Sequence, residues 1–218
     1  MDDNLLGLLI SYGYVFGILL MGEGIRKLWQ LSPEFTRKFV HIGVGNWYIL
    51  ALLLFTSKVY ALIPPLTFIV LNYISYRQKI FKAMELTDSS NLGTVYFPIS
   101  LSILVWLTWD TAPYLGGVGI MAMTWGDGFA AIVGQNWGRR LYSIFGNRKS
   151  LEGSLAMFLF SFLAITLFLT AFSPLPLPTA VLQAILLAGV ATVVEALSGA
   201  GLDNLLVPLL TSGVALIL

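Results

Sequence analysis

The chain contains no cysteine, which excludes disulfides, thiolate metal sites and cysteine nucleophiles. It has a single histidine, His41, so a multi-histidine metal site is excluded as well. Charge is scarce. Only 11% of the 218 residues are Asp, Glu, Lys or Arg, against roughly 25% in a soluble domain. The formal net charge of +1 offers no electrostatic footprint for nucleic acid, and none is expected as a partner. The opening Met1-Asp2-Asp3-Asn4 lacks the basic stretch of a signal peptide, so the first apolar run is expected to stay as a spanning helix. No prenylation or other lipidation motif is seen at the C-terminus. What fills the chain instead is apolar: 57% of residues are hydrophobic and the mean hydropathy is +0.85. This is the composition of an integral membrane protein.

Apolar runs long enough to cross about 30 Å of hydrocarbon as helix occur near 5–22, 39–56, 59–76, 93–109, 114–133, 154–172, 179–197 and 204–218. They lack the alternation of barrel strands, so an all-α polytopic bundle of seven or eight spans is expected. The last run is short and holds Pro208, which makes seven the fallback. Eleven of the twelve Lys and Arg fall in loops on one side, with Lys58 alone on the other. The positive-inside rule makes the crowded side cytoplasmic and puts the N-terminus outside. The short outer connections leave no room for an external domain, so residues 1–218 are expected to form one membrane-embedded domain. Trp106 and Trp109 at the outer boundary, with Trp29 and Trp137 at the inner one, read as interfacial anchors.

In this topology spans two, four, six and eight start at the cytoplasmic face, where helix N-termini present unpaired amides that suit anions. Each start carries polar residues: Arg37, Lys38 and His41; then Asp88 to Thr94; then Lys149 to Ser154; then Asp203 and Asn204. Ser90, Asn91, Ser150, Asp203 and Asn204 are also ordinary helix caps, and it is their recurrence at every start that favours a shared site. The densest stretch is 125–154. There Asp127 stands between Gly126 and Gly128 inside an apolar span, followed by Gly134, Gly138, Arg139, Arg140, Gly146, Arg148, Lys149, Ser150, Glu152 and Gly153. Glycines allow close backbone approach, cations neutralise phosphate, and an acid can hold a divalent metal. An intramembrane acid costs about 2.5–3.5 kcal/mol on insertion scales and is functional by default. Asp127 is therefore expected to bind magnesium or a substrate hydroxyl, the alternative being a pair with a neighbouring Arg or a cap on a broken helix. Glu195, near the inner end of span seven, reads as a partner for Lys or Arg or as a further metal ligand.

The run Asp127-x-x-Ala130-x-x-x-Gly134-x-x-x-Gly138 with Arg148-Lys149-Ser150-x-Glu152-Gly153 resembles the nucleotide-binding motif of the CTP-dependent polyprenol kinases, the group including dolichol kinase and phytol kinase. Arg37-Lys38-x-x-His41, the block Asn91-Leu92-Gly93-Thr94-Val95-Tyr96-Phe97-Pro98 and Leu202-Asp203-Asn204 resemble the family's other blocks. There are two departures: Arg148 replaces the first of two paired lysines, and Ser150 replaces a threonine. The resemblance implies transfer of the γ-phosphoryl group of CTP to the terminal hydroxyl of an isoprenoid alcohol at the cytoplasmic membrane face. It implies nucleotide contacts from Lys38, Asn91, Thr94, Gly126, Gly128, Gly134, Gly138, Arg139, Arg140, Arg148, Lys149, Ser150 and Gly153. It also implies catalytic roles for Asp127, His41 and Glu152, and magnesium (Mg2+) held by Asp127, Glu152 and Asp203. The partners implied are the alcohol, the nucleotide and the bilayer, with the oligomeric state open.

Two other readings compete. A phosphatidate cytidylyltransferase-like enzyme also joins CTP to a lipid but releases diphosphate instead of CDP. A small secondary transporter would use broken helices and an intramembrane acid for passage, yet here the polar residues gather at one face.

Overall fold

The computed structural model describes residues 3–29, 32–78, 80, 92–199 and 201–218. The expected run Asp88 to Asn91 lies outside the described residues, as do Lys79 and Lys82. The described chain is a bundle of apolar helices with one small hairpin: α1 (Asp3–Trp29), α2 (Pro33–Gly45), α3 (Trp47–Leu54), α4 (Lys58–Gln78), α5 (Gly93–Thr108), α6 (Pro113–Met121), a π-helical turn (Ala122–Asp127), α7 (Gly128–Trp137), β1 (Leu141–Ile144), β2 (Asn147–Ser150), α8 (Leu151–Phe172), α9 (Leu177–Leu197) and α10 (Asp203–Ala215). Five helical stretches among the described residues are long and apolar enough to cross a membrane, and α5 is a shorter apolar helix. The protein is an all-α polytopic membrane protein, as composition and hydropathy required.

The centre of the bundle is the continuous rod formed by α6, the π turn and α7. Its apolar window is 72% buried, against 28–33% in the other four long stretches, so it faces protein where they face lipid. Around it pack α8, α10, α5 and the α2–α3 pair. Small residues let the neighbours close in. A Cβ on Gly119 would strike the backbone carbonyl of Pro208 in α10, and Gly119 N donates to Ser212 Oγ at 3.1 Å. Tyr48 is fully buried and donates to Pro113 O at 2.7 Å, tying α3 to the start of the rod.

Two features differ from the sequence expectation, and a third decides between a helix break and close packing beside Asp127. The run 39–56 is broken at Asn46, whose Nδ2 donates to Ile42 O and whose Oδ1 accepts from Trp125 Nε1 at 3.1 Å. Gly126 and Gly128 do not break the rod; a π turn carries the helix through Asp127, and both glycines serve close packing. Trp109 is no interfacial anchor: it is buried edge-on against Tyr48, whereas Trp29, Trp106 and Trp137 are exposed. At the opposite end from the basic loops, Lys58 pairs with Asp110 and lies over the Trp106 ring at 4.7 Å.

Gly119→Ala is expected to cost about 1–3 kcal/mol by overpacking, because backbone in α10 cannot yield. Melting of the purified protein in detergent will show it as a lowered midpoint. Gly13→Ala, with open space around its Cβ position, will leave the midpoint unchanged or raised, and equal midpoints for the two variants would refute this packing account.

Candidate functional site

The π turn matters because it sets the direction of Asp127. Pairing i to i+5 widens one turn of the helix, a device common at functional sites. Here it directs a carboxylate toward α2. Lys38 of α2 donates to Asp127 Oδ2 at 2.5 Å, and His41 Nε2 lies 3.5 Å from the same oxygen. Lys38 and Asp127 are 5% and 7% exposed, so each charge depends on the other in place of water. His41 Nε2 also reaches Met123 O at 3.0 Å. A carbonyl only accepts, so Nε2 carries the proton and the lone pair of the neutral ring is on Nδ1.

Close approach of backbones makes this contact possible. A Cβ on Gly45 would fall on the Thr124 side chain, and one on Gly128 would come 2.7 Å from Ile42 Cγ1. At the start of α2, Ser32 caps the helix by accepting from Phe35 N, and Pro33 fits its first turn. Glu34, ahead of the apolar run, accepts from Arg37 at 2.9 Å and from Gln135 of α7 at 3.3 Å. Partial burial works to raise its pKa, but the hydrogen bond and charge of Arg37 outweigh that and hold the carboxyl below its ordinary value.

Five of the six glycines of the 125–154 stretch are packing positions, and Gly146 belongs to a turn. Ala130, Gly134 and Gly138 lie one turn apart and meet the start of α8. A Cβ on Gly134 would stand 3.6 Å from Gly153 Cα, one on Gly153 would stand 3.1 Å from Ala130 O, and one on Gly138 would fall on Gly134 O. This is the small-residue crossing that lets membrane helices touch. Ser150 caps α8, its Oγ accepting from Gly153 N at 3.1 Å. The loop read as basic and glycine-rich is a β-hairpin with Leu141 opposite Ser150. Its two-residue turn has Phe145 at φ 49° and Gly146 at φ 82°, the arrangement that matches strand twist.

The hairpin divides its charges. Arg139, Arg140 and Arg148 are exposed. Lys149 instead folds onto α9, where it pairs with the Glu195 carboxylate and also meets the Glu195 carbonyl. A cation there also suits the negative end of the α9 dipole. Glu152 accepts from the backbone amides of Arg139 and Arg140 at 3.1–3.3 Å, which turns two amides expected for phosphate toward a carboxylate of the chain itself. Asp203, at the start of α10, holds Asn204 N and Nδ2 on Oδ1. It lies in electrostatic reach of Asp127, Lys38 and Lys149, as Glu195 does of Asp127 and Asp203. Thr94 is half-buried, and its carbonyl accepts from Asn72 Nδ2 at 2.8 Å. Asn91 lies outside the described residues.

The structure therefore gathers Lys38, His41, Asp127, Lys149, Glu195 and Asp203. Glu152 is not in that group: seven residues, about 10 Å of helix, separate Asp127 from Gly134, against which the start of α8 packs. Among the described residues, no set of three or more acids or histidines is placed to hold a metal ion. The acids do not form an all-protein cage. Magnesium asks less, since it usually keeps several waters and takes one or two carboxylates beside substrate phosphates. Asp127 and Asp203, in electrostatic reach of one another, are the carboxylates that would answer that demand, and Glu195 Oε2 is a buried oxygen without a partner in the described structure. Glu195, expected as a partner for Lys or Arg or as a further metal ligand, is the partner of Lys149; the signal for it was a lone acid inside an apolar helix.

Lys149→Met is expected to destabilise the protein by roughly 3 kcal/mol, because it leaves Glu195 buried and unpaired. Lys149→Met combined with Glu195→Leu will recover much of that loss. Thermal melting of both variants checks it, and a double variant no more stable than the single one would refute the pairing account.

No family model matches the chain, and no solved structure matches it. Curated relatives do. A phytol kinase of Synechocystis is 39% identical over 201 residues, covering 90% of this chain and 84% of that protein. A probable chloroplastic phytol kinase of Triticum aestivum is 33% identical over 231 residues, covering 97% and 76%. Phytol kinase 1 of Arabidopsis thaliana is 27% identical over 218 residues, covering 91% and 71%. On this similarity the chain belongs to the phytol kinase family.

Proposed function

We propose that this protein is a kinase of isoprenoid alcohols that uses CTP as donor and works at the cytoplasmic face of its membrane. The observation that carries the reading is the buried Lys38–Asp127 pair with His41 beside it, in a chain 39% identical to a phytol kinase. The cytoplasmic side follows from the positive-inside distribution of Lys and Arg. CTP follows from the resemblance of the motif blocks.

The alcohol oxygen attacks the γ-phosphorus, the bond to the β,γ-bridging oxygen breaks, and CDP leaves. Such a transfer depends mainly on positioning and electrostatics. Arg139, Arg140 and Arg148 offer exposed guanidinium groups to the triphosphate, and Lys38 brings a positive charge to the point of transfer. Asp127 orients the hydroxyl and takes its proton, with Nδ1 of His41 as the second candidate. A magnesium ion carried with the nucleotide would be held by Asp127 and Asp203 and would neutralise charge developing on the phosphates. Lys149 is placed by Glu195 at the edge of the same group.

The test is one activity matrix: purified protein with CTP, ATP, GTP or UTP against prenols of different length, detecting lipid phosphate and the released nucleotide. Prenyl monophosphate and CDP are expected with CTP. Release of diphosphate would point to cytidylyl transfer and overturn the kinase reading. Asp127→Asn and Lys38→Met are each expected to lower kcat about a hundred- to a thousandfold, the scale for one lost electrostatic contact at a transition state. An Asp127→Asn protein that folds in membranes with full kinase activity sinks the assignment of that residue.

A further inference from the structure

A groove lies between α1, the α2–α3 pair, α4 and α5. Its wall is apolar on every helix. Asn72 contributes an amide already engaged by Thr94 O, and the indole N–H of Trp47 has no partner among the described residues. Three prolines, Pro64, Pro65 and Pro98, stand in this wall. Each removes a backbone donor from its helix, so α4 and α5 present flat rings to the groove.

The groove runs in register with the ion-pair site. Phe97 lines it, and the Phe97 ring stands 5.8 Å from the His41 ring, whose Nε2 is 3.5 Å from Asp127. Val44 lines it too, one turn beyond His41 on α2. From that end the wall continues away from Asp127 in step on several helices, from Leu19 to Val15, from Phe97 to Leu101 and from Asn72 to Pro64. The last pair is eight residues apart, about 12 Å of helix.

We infer that this groove holds the hydrocarbon tail of the isoprenoid alcohol, with its hydroxyl end at His41 and Asp127. The inference rests on the kinase reading above and adds to it the path of the substrate. A free alcohol is the occupant the geometry favours. The groove's wall carries no charged side chain, and the polar groups next beyond Phe97 are His41 and the Lys38–Asp127 pair, which suit a single hydroxyl. The wall beyond asks only for apolar surface, worth about 25 cal/mol per Å² buried. The residues far from Asp127, Val15 and Leu101, then set how long a tail is accepted.

Two measurements test it. Val15→Trp and Leu101→Trp are expected to lower the ratio of kcat/KM for a twenty-carbon prenol to that for a ten-carbon prenol by about tenfold, the scale of overpacking a filled apolar site. Leu163→Trp, on the exposed face of α8, will leave the ratio unchanged. Independently, a prenol with a photoreactive diazirine at the tail end is expected to label α1, α4 or α5 of the unmodified protein in nanodiscs without nucleotide, and unlabelled prenol will compete. Labelling confined to α8 or α9, or competition by phosphatidylcholine but not by prenol, overturns the inference, as does an unchanged ratio in both tryptophan variants. Labelling reads binding alone, so the two readings fail separately. Wild-type protein that phosphorylates no prenol but is labelled in the groove removes the kinase reading, while active protein labelled elsewhere removes only the groove.

Discussion

Everything at the site depends on one contact, the buried ion pair between Lys38 of α2 and Asp127 of the π turn. Neither charge is tolerable alone in a membrane interior, and neither has water in place of the other. The pair therefore fixes where α2 lies against the central rod. Around it the contacts are of a kind that only close backbones permit: Gly45 against Thr124, Gly128 against Ile42, His41 on the Met123 carbonyl, Asn46 on Trp125. The electrostatics select the arrangement and the missing side chains make room for it. A buried pair of this kind adds little net stability against an apolar substitute, which is consistent with its having been kept for chemistry.

The helices were legible because hydrocarbon imposes a length and a composition that each run displays openly. The expected orientation rests on where Lys and Arg collect. What was hidden were the local departures. The break at Asn46 depends on an indole from a helix 79 residues away, and the π turn at Asp127 leaves no mark in hydropathy. The hairpin 141–150 is too short and too charged for an alternating pattern to stand out. At the site, Lys38, His41, Asp127 and Asp203 were visible as polar residues out of place in apolar surroundings. Lys149 and Glu195 were each visible too, but that they pair with one another was not, because a salt bridge between a hairpin and a distant helix end is a tertiary fact.

The glycine motif shows how one string of residues serves two purposes. Spaced at four, Ala130, Gly134 and Gly138 look like a phosphate cradle, and the structure uses them first as the seam between α7 and α8. That seam presents the hairpin, with its three exposed arginines, at the end of a rigid pair of helices. The Arg139 and Arg140 amides, closed by Glu152, hold the root of the hairpin in one shape. Rigid packing below and exposed cations above would suit the hold on a triphosphate that the proposed reaction requires.

The ion pair also has a consequence for synthesis of the chain. Lys38 precedes Asp127 by 89 residues, which at about 5–20 residues per second is an interval of roughly 4–18 s. During that time α2 carries a cation whose partner has not been made. The side chain can reach back to the lipid head groups meanwhile. Its final position waits on the arrival of the central rod. The same contact that organises the finished site thus cannot form before the central rod is made.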